Sequence, residues 1–268
     1  MNYKKKIKKA ISLLVPKGYT KEKFKLFFYN LSKPKNTTFE VLKKDEAILF
    51  KTTFKKDIFY TNQALYPVVA HFDFYQNFYK VKKDDVVIDA GANMGHLSIF
   101  FSKMVGEGGK VYSFEPDKFN IQTLLNNVQL NSGLPDNIVI QDKLLWNTNT
   151  HIDFEEAGTV GSSAVWFSGN NSVVKKEAVT IDSWVKEQRL SRLDFIKMDI
   201  EGAEIEALDG CVETLQSLRP NFAIASYHIV NGEPTYIKVE EFFKKYNYPY
   251  TTITFPKNEI ITFAGNIN

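Results

Sequence analysis

The residues with the clearest chemical potential are acids placed where apolar strands end. The stretch DFIKMDIEGAE, Asp194 to Glu204, sets four carboxylates around Phe195-Ile196, Met198 and Ile200. Acids there can bind a metal, serve as a catalytic base, or open a helix, whose dipole favours them in its first turn. Asp194 precedes the strand and falls at its solvent end. Glu204 falls in the first helical turn, where the dipole alone accounts for it. Asp199 and Glu201 flank Ile200 at the other end, and Gly202 permits a tight turn behind them. A second stretch, DAGANMG, runs from Asp89 to Gly95. Gly91 and Gly95 let the backbone turn sharply and approach a ligand. Asn93 stands between them, so this is not the dinucleotide fingerprint. Asp89 would repel a pyrophosphate and suits a ligand carrying an ammonium group. Glu115, at the end of the next apolar run, can accept hydrogen bonds from two ribose hydroxyls. An amino-acid ammonium joined to a ribose describes S-adenosylmethionine.

These residues need strands to present them, and the patterning supplies them. From Val81 onward the chain alternates strand, turn and helix. VVIDAG, KVYSFEP, NIVIQ, DFIKMDI and NFAIASYH read as buried strands. HLSIFFSKMV, closed by Gly106, and FNIQTLLNNVQLN, capped by Asp117 and stopped by Gly133, read as helices. Residues 151–180 read as meandering strands and loop, and DSWVKEQ as a short helix. One helix is expected over AEIEALDGCVETLQSL, another over YIKVEEFFKKY, and a closing hairpin over YTTITF and EIITFAG. Such alternation predicts an open, mostly parallel α/β sheet with helices on both faces. In that architecture ligands sit outside the carboxyl ends of the strands.

Residues 1–80 follow a different grammar and read as an N-terminal helical and β-hairpin extension; residues 81–268 read as the transfer domain. Ile7, Ile11 and Leu14 fall at helical spacing among lysines, predicting a basic helix over 3–14. Thr20 is placed to cap a second helix with Phe24, Phe27, Phe28 and Leu31 on one apolar face. TFEVLKK and AILFKTTF alternate as strands around a Lys-Asp-Glu turn. Tyr60, Tyr66, His71, Phe72 and Tyr75 can form an aromatic wall for a sugar or simply pack.

The chain resembles the FkbM-type methyltransferases. The likeness rests on VVIDAGANMGH, VYSFEPD, LLWN, the serines Ser162-Ser163, TIDSW and DFIKMDIEGAEIEALDG, and covers roughly residues 81–264. It implies a Rossmann-like class I methyltransferase fold, with a mostly parallel seven-stranded sheet whose last strand is antiparallel. It further implies S-adenosylmethionine as cofactor and methylation of hydroxyl groups, often on sugars or on polyketide and other natural-product scaffolds. By the same resemblance Asp89 and Gly91, with Asn93 and Gly95 in the same turn, line the methionine end. Glu115 holds the ribose, and Asp142, Leu145 and Trp146 lie near the adenine. The chain departs from the family at Ser226, where an acid normally stands two places before the histidine. The family's sheet order sets His228, ending the fifth strand, beside the fourth. A hydroxyl is a poor nucleophile until its proton is removed, and histidine suits that task near neutral pH. His228 is therefore expected as base, with Asp199 or Glu201 as its partner or as a direct contact to the acceptor. The same three residues offer oxygen and nitrogen ligands to a divalent ion, but nothing in their spacing demands one, and no metal is expected. His96 is expected to fill the first turn of its helix.

Bulk composition is that of an ordinary soluble globular protein, at 44% hydrophobic and 24% charged residues. No apolar run reaches the roughly 18–20 residues of a membrane span. The apolar segment from Ile11 to Val15 is too short for a secretory signal. The single cysteine, Cys211, excludes an internal disulfide framework and fits a reducing compartment, so a cytoplasmic location is expected. Residues 1–35 hold eleven lysines and one acid, whereas the whole chain nets only +3. This basic arm offers peripheral contact with an anionic membrane at the inner surface. It also opens two competing readings, an RNA methyltransferase and a non-catalytic membrane-tethered scaffold. The acidic remainder argues against an extended nucleic-acid groove. A small-molecule or glycan acceptor is the expected partner.

Overall fold

The structure, a computed structural model, describes residues 18–31, 33–45, 47–134, 136–158, 162–165, 167–169 and 171–267. The basic helix expected over 3–14 lies outside the described residues. Two compact units divide the chain, Met1–Ala70 with Gln129–Asn131, and His71–Val128 with Ser132–Asn268. Residues 71–80, grouped by patterning with the extension, cluster with the second unit.

In the first unit, helix α1 (Tyr19–Leu31) accompanies an antiparallel meander of β1 (Thr37–Lys44), β2 (Ala47–Phe54) and β3 (Asp57–Thr61). Alternation sets Thr37, Phe39 and Val41 of β1 inward. The apolar face expected on α1 is not the buried one. Phe24, Phe27, Phe28 and Leu31 are 38–71% exposed, while Leu26 is buried. The helix is oriented instead by Asn30, whose amide donates to the Phe39 carbonyl at 2.8 Å and accepts from the Phe39 N–H at 3.0 Å. Satisfying both backbone groups of an edge-strand residue fixes which side of the helix faces the sheet. Tyr29, on that side, stacks on Tyr66.

The second unit runs α2 (His71–Phe74), β4 (Val86–Ala90), α3 (His96–Val105), β5 (Lys110–Phe114), α4 (Lys118–Leu130) and β6 (Ile138–Gln141). There follow β7 (Leu144–Leu145), β8 (Thr150–Glu156), β9 (Ser172–Val179), α5 (Ile181–Glu187) and β10 (Phe195–Met198). Then come α6 (Glu204–Asp209), α7 (Val212–Ser217), β11 (Asn221–Ala225), β12 (Ile229–Val230), β13 (Glu233–Pro234), α8 (Tyr236–Lys245), β14 (Tyr250–Phe255) and β15 (Glu259–Ala264). The main sheet has the order β14-β15-β11-β10-β4-β5-β6. Its strands are parallel from β6 to β11, and β15 is antiparallel to both neighbours, as expected. The order jumps between β4 and β10, and that switch point opens the crevice at the strand ends. Ile88, Ile196, Met198, Phe222 and Ile224 fill the sheet's core with Trp184 and Phe243 from the helices. Each fully buried side chain of this size contributes roughly 1.5–3 kcal/mol. A small sheet, β7-β9-β8, accounts for the expected meander.

The single helix expected over 203–218 is two. Gly210 lies so close to the Trp146 carbonyl that a Cβ would stand 2.2 Å from its oxygen. The chain breaks there, and α7 starts afresh under a cap from α5. The Asp182 carboxylate accepts the Glu213 and Thr214 N–H groups at 3.0 and 2.7 Å, meeting the orphan donors of a new helix.

Candidate active site

Register decides what the first turn can do. Asp89 on β4 is aligned with Lys197 on β10 and with Ser113 on β5. Residues paired in this way project to the same face. The Lys197 ammonium stands 3.0 Å from Asp89 Oδ1 and donates to the Ala90 and Gly91 carbonyls at 3.0 and 2.8 Å. The ammonium is thereby held by two carbonyls and one carboxylate. Ser98 donates to Asp89 Oδ2 at 2.6 Å, and Ser113 donates to Ser98 at 2.8 Å. Asp89, expected to meet a ligand's ammonium, is instead buried and neutralised from within. It holds the turn and does not line the cleft. Lys197 escapes a reading focused on acids, although a cation inside the apolar run FIKM is the signal for it. Gly91, at φ +74°, passes so near the end of β10 that a Cβ would lie 1.8 Å from the Asp199 carbonyl oxygen.

Past this turn a cleft opens, lined by Gly91, Asn93, Glu115 and Leu145 among the expected cofactor residues, and by Asp199 and Glu201. Glu115 accepts from the Asn93 N–H at 2.7 Å and from the Asp117 N–H at 3.0 Å. Burial pushes its carboxyl up to about 7, against the lowering effect of these bonds. Phe114, Leu144 and Phe154 form an apolar slot beside it. Asp117 caps α4 as expected, accepting the Phe119 N–H at 2.7 Å. Its other oxygen accepts from the Ser162 hydroxyl and the Gly158 N–H, at 2.6 and 2.8 Å, and so ties the loop bearing Ser162 to the cleft's edge. Asp142, Trp146 and Gly95 do not line the cleft. Asp142 is over half exposed and pairs with Lys176 at 2.8 Å. The Trp146 backbone N–H donates to the Val179 carbonyl, and the side chain packs beside Leu144, Phe154 and Ala178, while Gly95 lies under Leu124.

At the ends of β10 and β11 the structure does bring Asp199, Glu201 and His228 together. His228 Nε2 lies 3.6 Å from Asp199 Oδ1 and 3.6 Å from Glu201 Oε2, and Nδ1 lies 3.1 Å from Glu204 Oε1. Glu204 is fully buried and also accepts the Ile200 and Gly202 N–H groups at 3.1 and 3.3 Å. Its place in the first helical turn hides this role in the sequence. Tyr75 donates to Asp199 Oδ2 at 2.9 Å. Burial alone would lower the His228 ring, but the hydrogen bond and charge of Glu204, with Asp199 and Glu201, raise it to about 9. With nothing bound at Nε2 the ring favours its charged form, whereas the expected role as proton acceptor needs the neutral one. Burial works against the Asp199 carboxylate too, yet Lys197, His228 and Tyr75 hold it below its ordinary value. Burial and then the Asp199 charge push Glu201 up to about 7. Glu201 and Asn93 both adopt the left-handed region, at φ +55° and +50°, a conformation that costs energy and concentrates at functional sites.

Of the expected aromatic wall, only Tyr75 reaches this cluster. Tyr66 is stacked on Tyr29, and Phe72 on Phe100. His96 packs on Phe72 as a helix-start residue, and burial, with the nearby charges of His71 and Lys197, lowers it to about 3.

Residues 89–250 match the methyltransferase FkbM domain. The chain belongs to the FkbM methyltransferase family. Its cofactor is S-adenosylmethionine, and the cleft suits it. A buried carboxylate, Glu115, stands on one side with an apolar slot beside it, and the backbone turn at Gly91 lies on the other. Among relatives of this FkbM methyltransferase is the hexuronic acid methyltransferase AglP of Haloferax volcanii, 27% identical over 56% of this chain and 58% of that protein. The 2-O-methyltransferase NoeI of Sinorhizobium fredii is 26% identical over 52% of this chain and 62% of its own length. The chain thus spans less than two thirds of these relatives. A crystal structure of FkbM from Methylobacillus flagellatus aligns with a TM-score of 0.54 at 19% identity, covering 72% of this chain and 47% of that one, and supports the fold. Among the described residues of this FkbM methyltransferase, no helix is long and apolar enough to cross a membrane.

Proposed function

We propose that this enzyme methylates a hydroxyl group of a glycan or related natural-product metabolite. The observation carrying this reading is the cluster Asp199, Glu201 and His228, set against the cofactor turn at Gly91 and opening on the same cleft. S-adenosylmethionine supplies an electrophilic methyl group. Gly91, Asn93, Glu115 and Leu145 would hold the cofactor, with Glu115 as acceptor for its ribose hydroxyls and Leu145 on the side of its adenine. Asp199 and Glu201 accept the hydrogen bond of the acceptor hydroxyl and aim its lone pair along the transfer direction. Orientation of this kind is worth up to roughly 7–11 kcal/mol in favourable systems. His228, locked by Glu204, keeps the two carboxylates from repelling each other apart. The sugar-directed names of AglP and NoeI support a glycan acceptor.

Transfer of labelled methyl from S-adenosylmethionine into fractionated extract tests the reading. Label should enter polysaccharide or lipid-linked glycan, or the small-metabolite pool. Label confined to RNA would replace it with the RNA reading, and label in protein alone would refute both. The exposed Phe24, Phe27 and Phe28 of α1, beside Lys21 and Lys23, support peripheral contact with anionic lipid. Flotation with anionic vesicles, absent with neutral ones, checks that contact.

A further inference from the structure

Within the acid–histidine cluster, His228 Nε2 and Asp199 Oδ1 face each other as buried atoms without a hydrogen bond. His228 Nε2 belongs to a side chain only 8% exposed and makes no hydrogen bond. Asp199 Oδ1 is likewise buried without a hydrogen bond, because Tyr75 occupies Oδ2. They stand 3.6 Å apart, and Glu201 Oε2 is the same distance from Nε2. That is too long for a charge-assisted hydrogen bond, which closes to about 2.7–2.9 Å. It is the spacing of ligands around a shared ion, since bonds of roughly 2.1 Å set adjacent donor atoms about 3–4 Å apart. One donor atom from each of Asp199, Glu201 and His228 lies within 4.8 Å of the others.

The surroundings are built for the same purpose. Nδ1 of His228 points to Glu204 Oε1 at 3.1 Å, and that carboxylate is pinned by two backbone N–H groups. A buried carboxylate 3.1 Å behind the far nitrogen favours a proton on Nδ1, so that an ion takes the place of the proton on Nε2, as outer-shell partners arrange for metal-bound histidines. Tyr75 does the corresponding service for Asp199. The neighbouring cation, Lys197, is engaged elsewhere, because its ammonium donates to the Ala90 and Gly91 carbonyls and pairs with Asp89.

We infer that Asp199, Glu201 and His228 bind one divalent cation at the acceptor end of the cleft. Two carboxylates and one imidazole suit an ion of the manganese or magnesium class. Both carboxylates line the cleft, so the ion keeps open positions toward it. A hydroxyl bound there becomes more acidic and gives its proton to water. Asp199 and Glu201 then act on the acceptor through the ion. This role rests on the O-methylation reading; binding of the ion does not.

Titration of the full chain with Mn²⁺, followed by calorimetry and by the loss of the free-ion electron paramagnetic resonance signal, tests the inference without any acceptor. One ion per chain is expected. Glu201→Gln and His228→Asn should each weaken it at least tenfold, while both variants still bind S-adenosylmethionine and so report a folded protein. No saturable Mn²⁺ binding, or equal binding in wild type and both variants, would overturn it. Should a variant fail to fold, Glu204→Gln provides the same readout one contact further out, with a smaller loss expected and no loss counting against the site. Mn²⁺ binding without label in glycan or small metabolites would leave the ion site standing and remove the acceptor reading alone.

Discussion

Two carboxylate sites lie at the ends of the neighbouring strands β4 and β10, and they are finished in opposite ways. Asp89 meets Lys197, Ser98 and no solvent. Asp199 and Glu201 meet a histidine at a distance that closes no hydrogen bond and face an open cleft. The first site carries its own cation and has no spare capacity. The second keeps charge in hand for something that arrives. A sequence shows both as an acid at a strand end; only register reveals which acid the protein has already neutralised.

Removing the internal cation should break this contrast most severely. Lys197→Met leaves Asp89 buried and unpaired, and should cost about 3–5 kcal/mol in chemical denaturation. Asp89→Asn combined with Lys197→Met should recover much of that loss. A change under about 1 kcal/mol in the single variant would mean that the pair is not structural. Gly91→Ala comes next, since the methyl group would strike the backbone of Asp199. Cofactor affinity should fall by tenfold or more, equivalent to at least about 1.4 kcal/mol; unchanged affinity in calorimetry would place the turn outside the cofactor site.

Glu115 sharpens the comparison from the cofactor side. Its carboxyl, raised to about 7 by burial, is ionised above that pH and protonated below it. Only the ionised form leaves both oxygens free to accept from ribose hydroxyls, so cofactor binding should weaken as pH falls through 7. Glu115→Gln should bind several-fold more weakly and lose this dependence. A flat profile in wild type would sink the assignment. The smallest effect is expected from Tyr75→Phe, which removes one hydrogen bond from Asp199, worth about 0.5–1.5 kcal/mol. Transfer should slow a few-fold with cofactor affinity intact, and a large loss of cofactor binding would contradict the division of the cleft into two ends.

The sheet was legible because its strands are continuous apolar runs between helical periods, and a parallel sheet buried on both faces leaves that mark. Glu115 and the pair Asp199 and Glu201 were legible as acids ending such runs. What escaped depends on distance in three dimensions. The break at Gly210 comes from the Trp146 carbonyl, more than sixty residues earlier. The exposed face of α1 comes from Asn30 claiming Phe39. The pairing of Asp89 comes from its alignment with Lys197, and Glu204 looks like any helix-opening acid until His228 arrives from another strand. The adenine-side residues Asp142 and Trp146 were assigned by family likeness, and a two-residue strand, β7, gave little register to carry the likeness accurately.

The contact between Gly91 and the Asp199 carbonyl makes the two ends of the cleft one joint. A ligand that settles on the turn would bear on the segment carrying the acid cluster, and a ligand on the cluster would bear on the turn. Such linkage has no preferred direction: whatever factor the cofactor adds to the grip on the acceptor, the acceptor returns to the cofactor. Spent cofactor and methylated product should accordingly loosen together, so that emptying one half of the cleft helps clear the other for the next turnover.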